Sequence, residues 1–449
     1  MIQINAAATT FRQGDSHTQD NAKEADGAGT DAMVTRVPGG VDLRFDGAPQ
    51  QSIVPGPHIE TIAVLGSDYP GIRFDVLVEP GEEVAAGQPL LRDRKHADRL
   101  VVAPVFGRVE AVTRGARRGI DTISIAVTGD AVSRFDIPPA FDRDSLRALL
   151  LASGIWAGIF ARPFGHPADL ATVPEALFIT AMDTRPHAPD PAVVIAGHAG
   201  WFRRGCEALT ELSSGKTYLC HAAGSEIAGG DGVVNAAFSG RHPAGLPSTH
   251  IHHLHPVYRA SRSVWQVGYQ DVIALGHLLE TGSVWTDRIV TVSGPAVSSP
   301  ALLRTRPGAS LPQLLSGRLS TDAVRLVSGS GLDGRRQAYL SRGHLQAFAT
   351  PHHLEPQSRS GIRQLLRGLS QVGVPPLIPN AAHERAAPIG ILPILFLRAL
   401  SVGDVETAMR LGALELVEED MALLSYVDGD KADFGAMLRA LLDDIEGIT

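Results

Sequence analysis

Cysteine is nearly absent. The 449 residues hold two, Cys206 and Cys220. That is too few for the four thiolates of an iron–sulfur cluster, and it gives no disulfide framework. The usage fits a reducing cytosol. Lysine is also scarce: Lys23, Lys95, Lys216 and Lys431 are the only ones, so arginine carries nearly all the positive charge. The formal net charge is -8 and no basic stripe interrupts it, which argues against a nucleic-acid partner. Long apolar runs are missing too. The best, "IGILPILFLRAL" at 389–400, falls short of the roughly 20 residues that a spanning helix needs, and Pro393 interrupts it. It is expected to be a buried helix; the other reading is a helix that docks on a membrane-embedded partner.

What remains is an ordinary globular composition, 44% hydrophobic and 20% charged, long enough for about three domains. Residues 1–32 are polar, small and acidic, with no apolar core of a secretory signal, and read as a disordered tail. Ordered patterning begins after Met33, a candidate start. Residues 33–135 read as short strands with glycine and proline at the corners: "GVDLRF", "IETIAVLG", "FDVLVEPGEEVAAGQPLLRD", "LVVAPVFGRVEAV", "DTISIAV". The pair "VEPGEEVAAGQPLL…APVFGRVEAV", with Gly81, Gly87 and Gly107 at turns, resembles the barrel-sandwich of biotinyl and lipoyl carriers. Lys95 in "RDRKHAD" lies near the place where carriers present a modified lysine. Its sequence context differs, so the sandwich is read as structural.

Residues 136–260 switch to strand–helix–strand, a Rossmann-like layer. Helical spacing marks "DRDSLRALLLASGIW" and "AVVIAGHAGWFRRGCEALTELSSG"; "EALFITAMD" and "KTYLCHAAG" read as strands. Residues 261–315, with strand "SVWQVG", helix "YQDVIALGHLLETG" and strand "DRIVTVSG", read as a compact β-grasp. Residues 316–449 are mixed and then helical, with helical spacing in "GIRQLLRGLSQVG", "LPILFLRALSVGDVETAMRLGA", "EEDMALLSYV" and "DFGAMLRALLDDIEG". The fold class is therefore α/β multidomain.

Two motifs look like phosphate loops. "GSGLDG" at 329–334 matches the dinucleotide fingerprint in letters, but that fingerprint requires a helix after it and an acid about 20 residues on. The following "RRQAYLSRGHLQAFAT" alternates like strands, so a hairpin turn is expected. "TELSSGKT" at 210–217 leaves a helix and enters a strand, the reverse of a phosphate cradle. Glu418, Glu419 and Asp420 are expected to open a helix, where negative charge suits the dipole.

Residues 246–257, "LPSTHIHHLHPV", place four histidines within six positions, with His242 upstream. Read as a strand, 249–255 puts His250 and His252 on one face, and two such imidazoles can chelate a metal. A structural zinc wants four ligands and a catalytic one three plus water, and no neighbouring pattern completes either set. Metal binding, a ligand-lining role and a structural role all remain open from the residues, with the structural role favoured.

Several blocks in order, "GVDLRFDGAP" (40–49), "PVFGRVEAVTRG" (104–115), "SGIWAGIFARPF" (153–164), "FITAMDTRPHAPDPAVVI" (178–195), "HPAGLPSTHIHHLHPV" (242–257), "WQVGYQDVIALGHLLETG" (265–282), "RIVTVSGPAV" (288–297) and "ILPILFLRALSVGD…LGALELVEEDMALLSYV" (391–427), resemble the A-subunits of the sodium-translocating NADH:quinone oxidoreductases (Na+-NQR). The likeness runs from about residue 34 to the C-terminus. It implies a barrel-sandwich hybrid, a Rossmann-like domain, a β-grasp of the soluble-ligand-binding type (SLBB) and a C-terminal helical region. It implies a protein with no cofactor of its own, peripheral on the cytoplasmic face of the inner membrane. The partners would be the other members of a six-subunit complex, chiefly a membrane-embedded flavin subunit, with ubiquinone as electron acceptor and flavins and iron–sulfur on other chains. It implies no metal at the histidines. Arg162, Phe164, His250 and His252 lie in the matching blocks and are candidate quinone contacts, with no catalytic, cofactor-binding or metal residue assigned. The stretches 384–393 and 425–435 depart from the family pattern. Other readings are a relative of the Rnf-type C-subunits lacking iron–sulfur clusters, or a stand-alone β-grasp ligand-binding or scaffold protein.

Overall fold

The computed structural model describes residues 34–115, 119–352, 377–429 and 432–448. The tail at 1–32, Met33 and the helical stretch "GIRQLLRGLSQVG" fall outside the described residues.

The barrel-sandwich takes shape from alternation. In strand Ile120–Val127 the inward Ile123 and Ile125 are fully buried, and they face Ile62 and Val64 of Thr61–Leu65 across an antiparallel ladder. That sheet continues through Gly107–Arg114 to Glu83–Val84. A three-stranded sheet, Phe74–Val76, Pro89–Asp93 and Leu100–Val102, closes the sandwich over Leu90, Leu91 and Val101. Gly81 and Gly87 adopt positive φ, conformations that need glycine. Gly107 instead starts a strand where a Cβ would sit 2.1 Å from the Ala126 carbonyl oxygen. Lys95 stands at the tip between Pro89–Asp93 and Leu100–Val102.

The Rossmann-like layer is a seven-stranded sheet in the order Thr35–Arg36, Val233–Ser239, Lys216–Ala222, Ala176–Ala181, Val264–Gly268, Ile159–Arg162, His166–Pro167. The first five run parallel and the last two turn antiparallel. Strand Val264–Gly268 and helix Tyr269–Thr281 therefore belong here, not to the β-grasp expected at 261–315. The strand has neighbours on both edges. The helix buries Val272, Ile273, Leu275, Leu278 and Leu279 in the same core as Trp156, Trp265 and Phe202.

With the two faces of the sandwich counted as one, the third sheet has six strands: Arg335–Arg336, Val324–Ser328, Gln346–Pro351, Arg288–Ser293, Ala301–Thr305 and Gln50–Pro55. The hairpin at "GSGLDG" is as expected, with Ser328 paired to Arg335 across it. Two early strands fall within the stretch expected to form the barrel-sandwich and lie elsewhere. Thr35–Arg36 pairs parallel with Val233–Ser239, and Gln50–Pro55 with Ala301–Thr305. Among the described residues "GVDLRF" makes one bridge, Val41 to His242; Gly39 and the stretch's own Gly40 lead into Val41 at positive φ, and a Cβ on Gly40 would meet the His242 carbonyl at 2.6 Å.

The C-terminal region is helical, with Ala381–Ala386, Pro393–Val402, Val405–Arg410, Ala422–Val427 and Phe434–Ile448 around Phe396, Leu400, Met421, Leu424, Leu438 and Leu442. Pro393 does not interrupt a helix but begins one, the position where its missing N–H costs nothing.

Helices Ala199–Leu209 and Tyr269–Thr281 cross at two glycines. A Cβ on Gly205 would lie 2.2 Å from the Val272 carbonyl oxygen, and one on Gly276 would lie 1.7 Å from that of Trp201. No rotamer relieves a clash with backbone, so the helices must part. Gly276→Ala is expected to cost about 3 kcal/mol, read as a lowered denaturation midpoint. A midpoint within error of the parent would show that the helices do not approach this closely.

Candidate functional site

The four residues singled out as quinone contacts gather at one junction, where the Rossmann-like layer meets the C-terminal helices. Arg162 ends its strand with its side chain 2% exposed. Its Nε and Nη2 donate to the Gln266 Oε1 at 3.1 and 2.9 Å, and its Nη1 donates to the Ser248 Oγ at 2.8 Å. Glu419 and Asp420 lie 3.7 and 3.9 Å from the guanidinium. Ser248 passes the contact on, donating to the Asp420 Oδ2 at 2.6 Å, which also accepts the Val417 N–H at 2.7 Å.

Arg185 is the second anchor. Its Nε donates to the Asp333 Oδ2 at 2.6 Å, its Nη1 to the Asp183 Oδ2 at 3.2 Å and its Nη2 to Glu419. Asp333 sits in the hairpin turn Gly329–Gly334, where Ser330 donates to it. One arginine thus ties together the end of a Rossmann strand, a turn of the third sheet and a C-terminal helix. Nearby, Arg439 Nε donates to the Glu418 Oε1 at 2.7 Å and its Nη2 to the Phe164 carbonyl at 2.6 Å. Phe164 packs on the C-terminal core.

The histidine stretch is a helix, Pro247–Leu254, not a strand. Pro247 at its first position sets the helical φ, so His250 and His253, three apart, share a face. Both rings meet Phe238, at 4.5 and 6.2 Å. His250 is fully buried, and among the described residues neither ring nitrogen has a hydrogen-bond partner at bonding geometry. His252 Nδ1 lies 2.8 Å from the Glu415 Oε2, His253 Nδ1 2.8 Å from the Thr249 carbonyl oxygen and His255 Nε2 3.3 Å from the Glu175 Oε2. These three rings face three different partners, so the run does not converge on one ion.

Among the described residues, one other group has metal-ligand geometry: His166, Asp443 and Glu446. The Arg439 guanidinium already stands there, 3.2 Å from the Asp443 Oδ1 and 3.4 Å from the His166 Nε2. A positive group occupies the position a cation would take.

Charge at the junction is unbalanced. Asp183, Asp333, Glu419 and Asp420 are four carboxylates, and Arg162 and Arg185 are two guanidinium groups. Burial shifts the groups apart. Burial works against ionised Asp333, but Arg185 and the hydrogen bonds hold its carboxyl below the usual range. Burial pushes Asp183 up, against the pull of Arg185. Asp420, fully buried, is pushed up to about 6 by burial and the nearby Glu419, against Arg162. Among the described residues its Oδ1 has no hydrogen-bond partner, a place where a proton satisfies the valence without displacing Ser248. His242 is lowered to about 4 by burial and by Arg185, and His250 to about 3 by burial. His252 is raised by its bond to Glu415.

A second buried pairing lies where the three sheets meet. Asp271 bridges Arg288 at 2.5 Å and Arg342 at 3.2 Å beside a cavity of about 90 Å³ walled by Trp285, Tyr69 and Asp68. None of the four quinone candidates lines this cavity or the cleft at His166.

Sequence reasoning missed Arg185, Asp183, Asp333, Ser248 and Gln266. Asp183 and Arg185 stand in the "AMDTRP" block and Asp333 in the discarded glycine motif. Glu419 and Asp420 do open a helical turn, as expected, but their carboxylates also face the arginines.

Three family models match in order: one described as NqrA N-terminal barrel-sandwich hybrid domain over residues 35–128, NqrA second alpha/beta domain over 141–284, and NQRA C-terminal domain over 289–338. Proteins named as the A-subunits of Na(+)-translocating NADH-quinone reductases are similar along nearly the whole length. That of Saccharophagus degradans is 38% identical over 443 residues, that of Shewanella amazonensis 39% over 437, and that of Pseudomonas aeruginosa 40% over 443. Each match covers 91% of this chain and 98% of the relative.

The raised Asp420 gives a signed prediction. A carboxyl whose folded pKa exceeds its unfolded value adds stability below the unfolded pKa of 3.8. That stability is lost as pH rises through about 6. Asp420→Asn keeps the acceptor for Ser248 and removes the buried charge. At pH 8 it is expected to be more stable than the parent by about 2 kcal/mol, with the difference vanishing by pH 4. Denaturation midpoints at both pH values decide; an equal difference at both would mean that Asp420 does not titrate in this range.

Proposed function

We propose, for a chain that belongs to the A-subunit family of Na(+)-translocating NADH-quinone reductases, that it works as a peripheral member of such a complex and turns over no substrate alone. The observation that carries this reading is the match that covers 91% of the chain and 98% of each relative. The complex moves electrons from NADH to ubiquinone and couples them to Na+ export. Hydride and single-electron steps need flavin or iron–sulfur groups, and these are assigned to other subunits. Cys206 and Cys220 are both buried, and burial pushes their thiols up, which suits packing rather than redox or ligation.

The membrane contact is assigned to the cytoplasmic side, where the main partner is the membrane-embedded flavin subunit. Among the described residues no helix is long and apolar enough to cross a membrane. Helix Pro393–Val402 buries Phe396, Leu397 and Leu400 but leaves Leu395 and Val402 exposed, with Leu392 just before it. Leu395 and Val402 are seven residues apart, two helical turns, and so share a side. Apolar side chains left on one side of an otherwise packed helix suit docking on another protein.

The four quinone candidates are given an indirect part. Arg162, Phe164 and His252 hold the C-terminal helices in register, His250 packs its helix on Phe238, and the quinone itself is met elsewhere in the complex. His250→Ala is therefore expected to lower the melting temperature while leaving the quinone KM of the assembled complex unchanged. A raised KM at normal stability would restore His250 as a direct contact.

Purification of the tagged chain from mildly solubilised membranes is expected to bring down two partners, one flavin-bearing and membrane-embedded, the other an NADH-oxidising iron–sulfur protein. Leu395→Asp with Val402→Asp should abolish that recovery without changing the fold, read by circular dichroism. Recovery of the parent chain alone from the soluble fraction would overturn the assignment in favour of a stand-alone β-grasp binding protein.

A further inference from the structure

The barrel-sandwich tip that carries Lys95 forms one wall of a cleft of about 520 Å³. The cleft lies between that tip, the sheet edge at His166 and the last helix at Glu446. Its size is in the range of small-molecule sites. The charged groups divide into those already paired and those not. Arg94 donates to Asp75 at 2.8 Å and Arg99 pairs with Asp93 at 3.2 Å. Glu446 meets His166 at 3.0 Å, and Asp169 accepts the Ala171 N–H at 2.9 Å. Arg73, Lys95 and His96 line the cleft and have no side-chain hydrogen bond or ion pair among the described residues. Arg99 also lines the cleft, but its guanidinium is taken by Asp93 and the Ala168 carbonyl and its Nε is buried out of a ligand's reach.

We propose that this cleft binds the phosphate group of a small anionic ligand, through Arg73, Lys95 and His96. Three donor side chains around one space, two of them fixed cations, ask for more acceptor oxygens than the two of a carboxylate, and a phosphate ester supplies them. The lining also carries Asp169 and Glu446, which would repel a nucleic acid or an extended acidic peptide and so limit the ligand to one compact anion. The carrier-like hairpin thus serves as a receptor for an anion instead of an arm that carries a group. Phosphate of this kind comes from two sources: a soluble ester such as a nucleotide, or the headgroup of an anionic lipid, which a peripheral protein meets at the membrane surface.

The test is calorimetric titration of the full chain with inorganic pyrophosphate at low salt. Saturable binding is expected, weakened at least about ten-fold in the Lys95→Ala/Arg73→Ala variant, the loss of charge-assisted contacts. It should also weaken as salt is raised, because the site is open to solvent. Both side chains are exposed, so the variant should keep the parent melting temperature. Lys216→Ala, on an exposed lysine outside the cleft, should bind like the parent. Flotation with phosphatidylglycerol vesicles but not phosphatidylcholine vesicles, competed by pyrophosphate and lost in the double variant, would assign the headgroup source. Pyrophosphate binding with no vesicle association would assign a soluble ester. Absence of saturable pyrophosphate binding, or equal binding in the double variant, would overturn the site.

Discussion

The arrangement of this chain depends on two arginines held among four carboxylates. Arg162 and Arg185 stand at the junction where the Rossmann-like sheet, the hairpin turn of the third sheet and the C-terminal helices meet. A buried ion pair adds little net stability over a well-packed apolar core, but removing either arginine costs about 3–5 kcal/mol because the carboxylates around it are left charged and dry. Such a junction therefore fixes geometry more than it adds stability. Apolar surfaces would tolerate sliding; Arg185, with a separate acceptor for each of its three nitrogens, does not. The surplus of negative charge is the cost of this geometry, and burial raises Asp420 in answer to it.

Local elements are legible in the sequence and long-range partnerships are not. The hairpin at Gly329–Gly334, the buried strand Ala176–Ala181 and the sandwich around Gly81 and Gly87 follow from alternation, turn chemistry and glycine placement, all local signals. The histidine helix reads wrongly as a strand because four histidines in six positions mask its one helical marker, Pro247. Strand Val264–Gly268 goes to the wrong sheet because its pattern says that it is buried, not beside which strand. The ionic junction lies beyond reach for a similar reason. Ser248 and Asp420 are 172 residues apart, and Arg185 and Glu419 are 234 apart. Nothing in either stretch alone announces its partner.

The division of labour within the chain follows from the same facts. Its phosphate-loop look-alikes resolve into a hairpin turn and a helix-to-strand loop, and its thiols are buried. What its surfaces offer is contact: an apolar side on helix Pro393–Val402 and a cationic cleft at the sandwich tip.

The path of residues 35–55 has a consequence for how the protein is made. Strands Thr35–Arg36 and Gln50–Pro55 are among the first to leave the ribosome, yet their neighbours are Val233–Ser239 and Ala301–Thr305. At ~5–20 residues per second of synthesis, the second of them waits roughly 10–50 s for its partner. Until then its edge is an unpaired strand that any other extended segment can pair with. The nascent chain is thus most exposed to mispairing at its beginning, and neither of the two larger sheets is complete until a distant part of the message has been read.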